Sequence, residues 1–434
     1  MRVKLSEICD VYDGPHATPP EADTGPIFLG IRNINESNQL DLTDVKRLSV
    51  SDFQKWTSRV IPQTDDIVFS YEATLNRYAL IPDGFYGCLG RRLAIIRVKD
   101  PEIVNSHYLF YYFCSPSWKN FILKNKVVGS TVLRVSIEKF PDYEVELPDI
   151  SVQNRVAFTL DQICSKIEAN NSISSELDGM AKDLYDYWFV QFDFPDENGK
   201  PYKSNGGKMV WNEELKREIP AGWCVDALRS HITSSRGISY DTKALETAGI
   251  PMINLASFSV DSTYKPAGIK NYGGDYSKEK VLHPYDLVMC NTQQTAPDPQ
   301  KDIIGKSLLV PDIFDGDVVS SHHVTSIKTD NDDLKYYFNA TFKTSWFHKY
   351  VIGFASGTNI LGLDFKGVEN YLLPIPPASV LQKFADFSHN MEAQKSIIIR
   401  ENEEFTSLRD FLLPMLMNGQ VTVKDTSTNS TANG

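Results

Sequence analysis

Two kinds of hydrophobic spacing divide this 434-residue chain. Over residues 1–150 and 223–377, short runs rich in β-branched and aromatic residues are broken by clusters of Gly, Pro and Asn, the pattern of strands joined by turns. Between and after these regions the period lengthens to seven. In residues 151–190, Val156, Ile163, Asn170, Leu177 and Leu184 form one row, with Leu160, Ile167, Ser174, Ala181 and Trp188 beside it. In residues 378–418, Phe384, Met391, Ile398, Phe405 and Leu412 form a row, partly matched by Phe387, Gln394, Glu401, Leu408 and Met415. Seven-residue spacing sustained this long predicts two long helices with a coiled-coil seam. An apolar stripe of this kind also suits a helix lying on a domain core, so two separate surface helices remain the alternative.

The strand-rich regions repeat one plan. Asp66-Ile67-Val68-Phe69-Ser70, Ile81-Pro82-Asp83-Gly84, Leu93-Ala94-Ile95-Ile96-Arg97, Tyr108-Leu109-Phe110-Tyr111-Tyr112-Phe113 and Gly129-Ser130-Thr131 follow one another in the first. Asp286-Leu287-Val288-Met289-Cys290, Val310-Pro311-Asp312, Val324-Thr325-Ser326-Ile327-Lys328, Leu334-Lys335-Tyr336-Tyr337-Phe338 and Ser356-Gly357-Thr358 follow in the second. The match continues from Glu146-Leu147-Pro148 against Pro374-Ile375-Pro376 into helices opened by Gln153 and Gln382. Landmarks kept in order this far indicate a duplicated unit.

The expected fold is α+β: two similar mixed α/β domains separated by two long antiparallel helices that form a coiled coil, with pseudo-twofold symmetry. The domain plan is 1–150, a first spacer helix 151–190, a connecting loop 191–222, a second domain 223–377, a second spacer helix 378–418 and a disordered tail 419–434. Equal helix lengths favour pairing, as do Asn170, Ser174, Gln394 and Glu401, polar residues that fix register in mid-seam. A rod of about 36 residues is roughly 54 Å long at 1.5 Å per residue. Two similar domains held apart by a stiff rod suit duplex DNA, whose half-sites on one face repeat about every 34 Å.

Composition neither supplies chemistry nor vetoes that partner. The formal charge is -12, but phosphate binding depends on how Lys and Arg are distributed over one face. Cys9, Cys88, Cys114, Cys164, Cys224 and Cys290 include no C-x-x-C pair, so reduced core thiols are expected rather than zinc ligands or disulfides. No apolar run reaches the roughly 18 residues of a membrane span, and the N-terminus lacks a signal-peptide core, so a cytoplasmic location is expected. Neither a phosphate loop nor a dinucleotide-binding glycine motif occurs. Thr18-Pro19-Pro20-Glu21 lacks the residues an amino-methyltransferase needs around its two prolines. Pro311-Asp312 with Asp364-Phe365-Lys366 loosely suits a nuclease, but the repeat makes the latter an ordinary strand segment, and His322-His323 has no second ligand cluster for a metal.

One segment is more specific. Leu184-Tyr185-Asp186-Tyr187-Trp188-Phe189-Val190-Gln191-Phe192-Asp193-Phe194-Pro195, then Gly199-Lys200-Pro201-Tyr202-Lys203, Gly206-Gly207-Lys208-Met209-Val210 and Ile219-Pro220-Ala221-Gly222-Trp223, closely resembles the central region of specificity (S) subunits of type I restriction-modification systems. Leu412-Leu413-Pro414-Met415-Leu416-Met417-Asn418-Gly419-Gln420 and the glutamines opening each helix extend the likeness over essentially the whole chain. The resemblance implies two target-recognition domains that each read half of a bipartite DNA sequence, and helices that set the gap. It implies partners too: two DNA adenine methyltransferase (M) subunits bringing S-adenosylmethionine, and restriction (R) subunits using ATP with Mg. This chain then holds no cofactor and no catalytic residue of its own. The competing reading is a protein-interaction scaffold without DNA specificity.

Arginine reads guanine and Asn or Gln reads adenine in the major groove, while Lys, Ser and Thr hold phosphates. On that chemistry the first domain's candidates are His16, Thr18, Arg32, Asn33, Tyr71, Thr74, Asn76, Arg77, Arg91 and Arg92. The second domain's are Ser235, Arg236, Asn254, Asn291, Gln293, Gln294, His322 and His323. Ser321-His322-His323 stands where the first copy has Gly90-Arg91-Arg92, a divergence that different half-sites would explain. The alternative for each is ordinary solvated loop polarity.

Overall fold

The computed structural model describes residues 1–127, 132–245, 248–294 and 302–424. Gly129, Ser130 and Thr131 of the repeat, and residues 425–434 of the expected tail, lie outside the described residues. In chain order the first region holds β1 (Arg2–Lys4), α1 (Leu5–Ile8), β2 (Cys9–Asp13), β3 (Ile27–Leu29), β4 (Lys46–Arg47), α2 (Phe53–Trp56), β5 (Ile67–Ser70), β6 (Tyr78–Leu80), β7 (Gly87–Leu89) and β8 (Leu93–Val98). Helices α3 (Ser106–Cys114) and α4 (Pro116–Lys124), strand β9 (Glu144–Glu146) and the long α5 (Ile150–Tyr185) follow.

The second region opens with a hairpin, β10 (Met209–Asn212) and β11 (Arg217–Pro220), before β12 (Cys224–Ala227), β13 (Ile232–Arg236), β14 (Ile250–Ile253) and β15 (Lys270–Tyr272). Then come β16 (Leu287–Cys290), β17 (Thr292–Gln294), β18 (Ser307–Leu309), β19 (Val319–Ser320) and β20 (Val324–Thr329). It closes with α6 (Leu334–Phe342), α7 (Ser345–Ile352), β21 (Ala355–Ser356), β22 (Ile360–Leu363), α8 (Lys366–Glu369), β23 (Leu372–Ile375) and the long α9 (Ala378–Met417).

The chain packs as two compact units, Met1–Ile167 with the segment from Glu404 onward, and Glu168–Glu403. Each contains part of both long helices. In the first unit an antiparallel sheet has the order β2-β8-β5-β6, and in the second the order β13-β20-β16-β18. Each unit adds a three-stranded sheet with one parallel pair, β3 on β7 and β14 on β19. A two-stranded pair, β1 with β9 or β12 with β23, completes the common plan.

Both faces of the central strands are buried. Ile67 and Phe69 face the cluster built with α3, α4 and α5, while Val68 faces a second cluster with Leu29, Ala79 and Ile95. Leu287 and Met289 alternate in the same way with Val288 and Cys290. A one-residue slip would exchange the two sets, so the register is strongly specified. At the margin of the first sheet Arg97 grips buried Asp66 with Nε on Oδ1 at 2.8 Å and Nη2 on Oδ2 at 2.6 Å. Gln153, fully buried, joins three segments: its Oε1 accepts from Asn105 N at 3.0 Å, and its Nε2 donates to Ile103 O and Pro148 O. Gln382 at the matching place on α9 is exposed.

The long helices run antiparallel within each unit. In the second, Asn170 is 2% exposed and donates to Glu401 Oε2 and Asn402 Oδ1, both at 3.0 Å. Further along, Lys395 Nζ lies 2.7 Å from Asp178 and 3.2 Å from Glu392. In the first unit Leu412, Leu413, Leu416 and Met417 join the cluster of Val156, Ala157 and Leu160. The expected companion row on α9 is partly exposed, Phe387 at 52% and Leu408 at 43%, while buried Ser396 accepts from Asp312 N at 3.0 Å.

Three expectations change. The stretch 191–222 is more than a crossing loop, because it forms the β10–β11 hairpin and puts Phe192, Phe194 and Ile219 into the second unit's core with Trp223. Residues 419–424 are ordered: Val423 packs on the first core and accepts from Arg155 Nε at 3.2 Å. Asp364-Phe365-Lys366 is a helix start rather than a strand, since Asp364 Oδ1 accepts from Lys366 N at 3.1 Å to open α8. The six cysteines are free, and all but half-buried Cys164 and exposed Cys224 are buried. Among the described residues no helix is long and apolar enough to cross a membrane.

His107 ties α3 to α5, its Nδ1 2.9 Å from Asp161 and its Nε2 3.1 Å from Asp65. The hydrogen bond to Asp161, helped by Asp65 and opposed by burial, pushes the imidazole up to about 9. A raised value means the folded state holds the proton more tightly, so this stabilisation is complete below about pH 6.5, the unfolded value, and is lost as pH rises toward 9. Urea unfolding should therefore show wild-type stability falling more steeply over that window than the His107→Gln variant; parallel pH profiles would refute the clamp.

Candidate nucleic-acid interface

Strand polarity decides which loops meet. In the first sheet, β2 and β5 end where β8 and β6 begin. The loops 14–18, 71–77 and 90–92 consequently leave from one end of the sheet. In the second sheet, β13 and β16 end where β20 and β18 begin, which gathers residues 237–240, 291–294 and 321–323 at the corresponding end.

Backbone contacts fix these loops identically in both units. Gly14 N donates to Leu93 O at 3.0 Å, and Gly237 N to Val324 O at 2.9 Å. Tyr71 N reaches Arg92 O at 3.2 Å, as Asn291 N reaches His323 O at 2.9 Å. Val135 N on Tyr71 O and Leu363 N on Asn291 O, both 2.8 Å, bring in a further segment, which in the second unit is β22. The approach demands glycine: a Cβ on Gly14 would lie 2.7 Å from Gly90 O, and one on Gly237 2.2 Å from Ser320 O.

The side chains on this shared frame differ. Arg92, at φ 74, sets its Nε 2.8 Å from Glu72. At the same place in the second unit His323 Nδ1 lies 2.6 Å from Thr292 Oγ1, and the His322 and His323 rings are 3.8 Å apart between centroids. Burial, then His322 and Lys270, hold the His323 imidazole below its usual value. Arg91 is exposed, with no carboxylate partner among the described residues.

The remaining candidates sort by burial. Exposed Thr18, Thr74, Ser235, Arg236 and Gln294 are accessible. Lys280 Nζ donates to Ser235 Oγ at 2.8 Å. His16 is 2.9 Å from Asp13, Arg32 is 3.4 Å from Asp44 and Arg77 is 2.9 Å from Glu36. Asn76, at φ 63, donates to Lys119 O at 3.1 Å. Tyr71 is 7% exposed, and Asn291 and Gln293 are buried. Asn291 Nδ2 donates to Thr325 Oγ1 at 2.7 Å, while Gln293 Oε1 accepts from the backbone of Ile303 and Ile304.

Asn33 and Asn254 brace a turn in each unit with their side chains. Asn33 Oδ1 accepts from Gly30 N at 2.9 Å, and its Nδ2 donates to Asp41 O and Asp44 O. Asn254 accepts from Ala256 N at 3.0 Å and donates to Gly268 O at 2.7 Å. Both are under 5% exposed, so neither side chain is available to a base.

Sequence reasoning passed over two cations beside the first cluster. Arg59 reaches Gly14 O at 3.0 Å and Asp13 at 3.4 Å, and exposed Arg134 bridges to Glu72 through the backbone. Among the described residues no group of three or more His, Cys, Asp or Glu side chains gathers in metal-binding geometry.

Residues 1–178 match the family described as the type I restriction modification DNA specificity domain. Over 433 residues the chain is 26% identical to the type I restriction enzyme MjaIX specificity subunit of Methanocaldococcus jannaschii, covering 95% of this chain and 88% of that protein. The chain is similar to the specificity subunits of type I restriction-modification systems over nearly its whole length. The HindI specificity subunit of Haemophilus influenzae is 20% identical over 413 residues, 86% of this chain and 90% of that one. The crystal structure of the S subunit from M. genitalium shares the fold, with a TM-score of 0.57 at 12% identity over 98% of this chain and 96% of that one. DNA sequence recognition is the role of this family.

If Asn254 braces a turn, Asn254→Ala should cost about 1–3 kcal/mol of stability by leaving Gly268 O and Ala256 N unpaired. Urea unfolding would measure that loss, and the sequence preference of the folded protein should stay unchanged. An altered DNA preference at unchanged stability would make it a reader instead.

Proposed function

We propose that this chain is a specificity subunit, a non-catalytic reader in which each unit recognises one half of a bipartite DNA target. The observation that carries the reading is the matched pair of loop clusters, built on one backbone plan and lined by different polar and cationic side chains. Equivalent frames with unlike side chains suit two unlike half-sites on the same kind of ligand. The accessible set Thr18, Thr74, Arg91, Ser235, Arg236 and Gln294, with His16, Arg77, Arg92, His322 and His323 beside it, forms the proposed DNA-facing surface.

The antiparallel helices, of 36 and 40 residues, then determine the gap between half-sites. Phe158, Met180, Phe387 and Phe411 project from them with more than half of each side chain exposed. Apolar side chains in such numbers on one helical element support protein docking, and we assign them to two DNA adenine methyltransferase subunits. Those subunits supply S-adenosylmethionine, and restriction subunits supply ATP-dependent chemistry with Mg. The assembly works in the cytoplasm.

Each added heptad lengthens a helix by about 10 Å, or about three base pairs. Matched seven-residue insertions in α5 and α9 should therefore widen the methylated gap by about that amount and leave both half-sites intact, as read by genome-wide mapping of methylated adenine. Altered half-sites with an unchanged gap would refute this division of labour. Purified chain given S-adenosylmethionine and target duplex should transfer no methyl groups until the methyltransferase subunit is added; turnover by the chain alone would overturn the non-catalytic assignment.

A further inference from the structure

Duplication supplies an internal control for the loop between β7 and β8. Its counterpart lies between β19 and β20, and the flanking hydrogen bonds repeat: Leu93 N to Gly90 O at 3.4 Å, and Val324 N to Ser321 O at 2.9 Å. On this common backbone two positions change together. The third loop residue is Arg92 in one unit and His323 in the other, and each is tied to the second residue after the matching strand end, Glu72 at 2.8 Å or Thr292 at 2.6 Å. An ion pair in one unit and a neutral hydrogen bond in the other anchor the loop at the same place. The second loop residue, Arg91 or His322, makes no such bond across the loop.

We propose that Arg91 is the base-discriminating side chain of the first unit, that it takes a guanine, and that Arg92 with Glu72 holds it in position. The inference rests on the DNA-reading role proposed above. Two observations favour a base edge over a phosphate. Phosphates are the same at every sequence, so a phosphate contact gives no reason for one position to be Arg in one unit and His in the other. Second, Arg92 is committed to Glu72 and Arg77 to Glu36, whereas the guanidinium of Arg91 keeps its planar fork free for guanine O6 and N7.

The test uses the chain with its methyltransferase partner in a host without other adenine methylation, and maps the methylated motif for wild type, Arg91→Ala and the double variant Glu72→Thr, Arg92→His. Wild type should give a two-part motif with a guanine in one half. Arg91→Ala should lose roughly tenfold or more of the preference for guanine at that one place and leave the other half unchanged, which also shows that the variant folds. The double variant transplants the second unit's anchor: total methylation should fall, because Arg92 lies on the proposed DNA-facing surface, while the guanine stays in the motif. A guanine lost here but kept in Arg91→Ala makes Arg92 the reader and overturns the inference. A guanine that survives Arg91→Ala, or an even loss of methylation in that variant with the motif unaltered, overturns the inference and marks Arg91 as a phosphate contact. Wild type without any two-part motif would instead fail the DNA-reading role on which it rests.

Discussion

Burial of both faces of β5 and β16 is the constraint on which the architecture of each unit depends. Because successive residues of these strands enter different hydrophobic clusters, Ile67 and Phe69 on one side and Val68 on the other, the ladder admits one register. That register fixes which strand ends coincide, and the coincidence of ends brings loops far apart in sequence to a common edge. Position is thus supplied by hydrophobic packing, and the polar side chains at the edge contribute little to holding it.

This separation of labour explains how two units can share a frame and differ in chemistry. Gly14 and Gly237 meet the same steric demand, and the backbone bonds around them correspond one for one. Replacing Glu72 and Arg92 by Thr292 and His323 substitutes a neutral hydrogen bond for an ion pair without disturbing its neighbours. Partly exposed ion pairs contribute little to stability, so such exchanges leave the core indifferent while changing what the surface presents.

The duplication and the strand runs were legible because continuous apolar stretches and Gly and Pro punctuation survive divergence. Other features were not. Asparagine in a loop suits both a base reader and a turn brace, and only the bonds of Asn33 and Asn254 to backbone atoms separate the two. The β10–β11 hairpin is short, partly polar and paired only with itself, so it read as connection; it buries Ile219, and ahead of it Phe192 and Phe194 pack around Trp223. Arg59 belongs to no repeated landmark, and its place beside Gly14 depends on tertiary packing. The exposure of Phe387 and Leu408 on α9 was not legible either, because heptad counting finds a row without showing what covers it.

The first unit is assembled from both ends of the chain, with Leu416 and Val423 packed against residues from the N-terminal region, whereas the second is made from one uninterrupted stretch. On the ribosome this reverses the usual order in which N-terminal domains fold first. The later-made unit can close as soon as Glu403 has emerged, while the earlier one waits with part of its core open until residues beyond 404 arrive. A polypeptide broken off within the last turns of α9 would therefore carry one finished head and one with part of its core open to solvent.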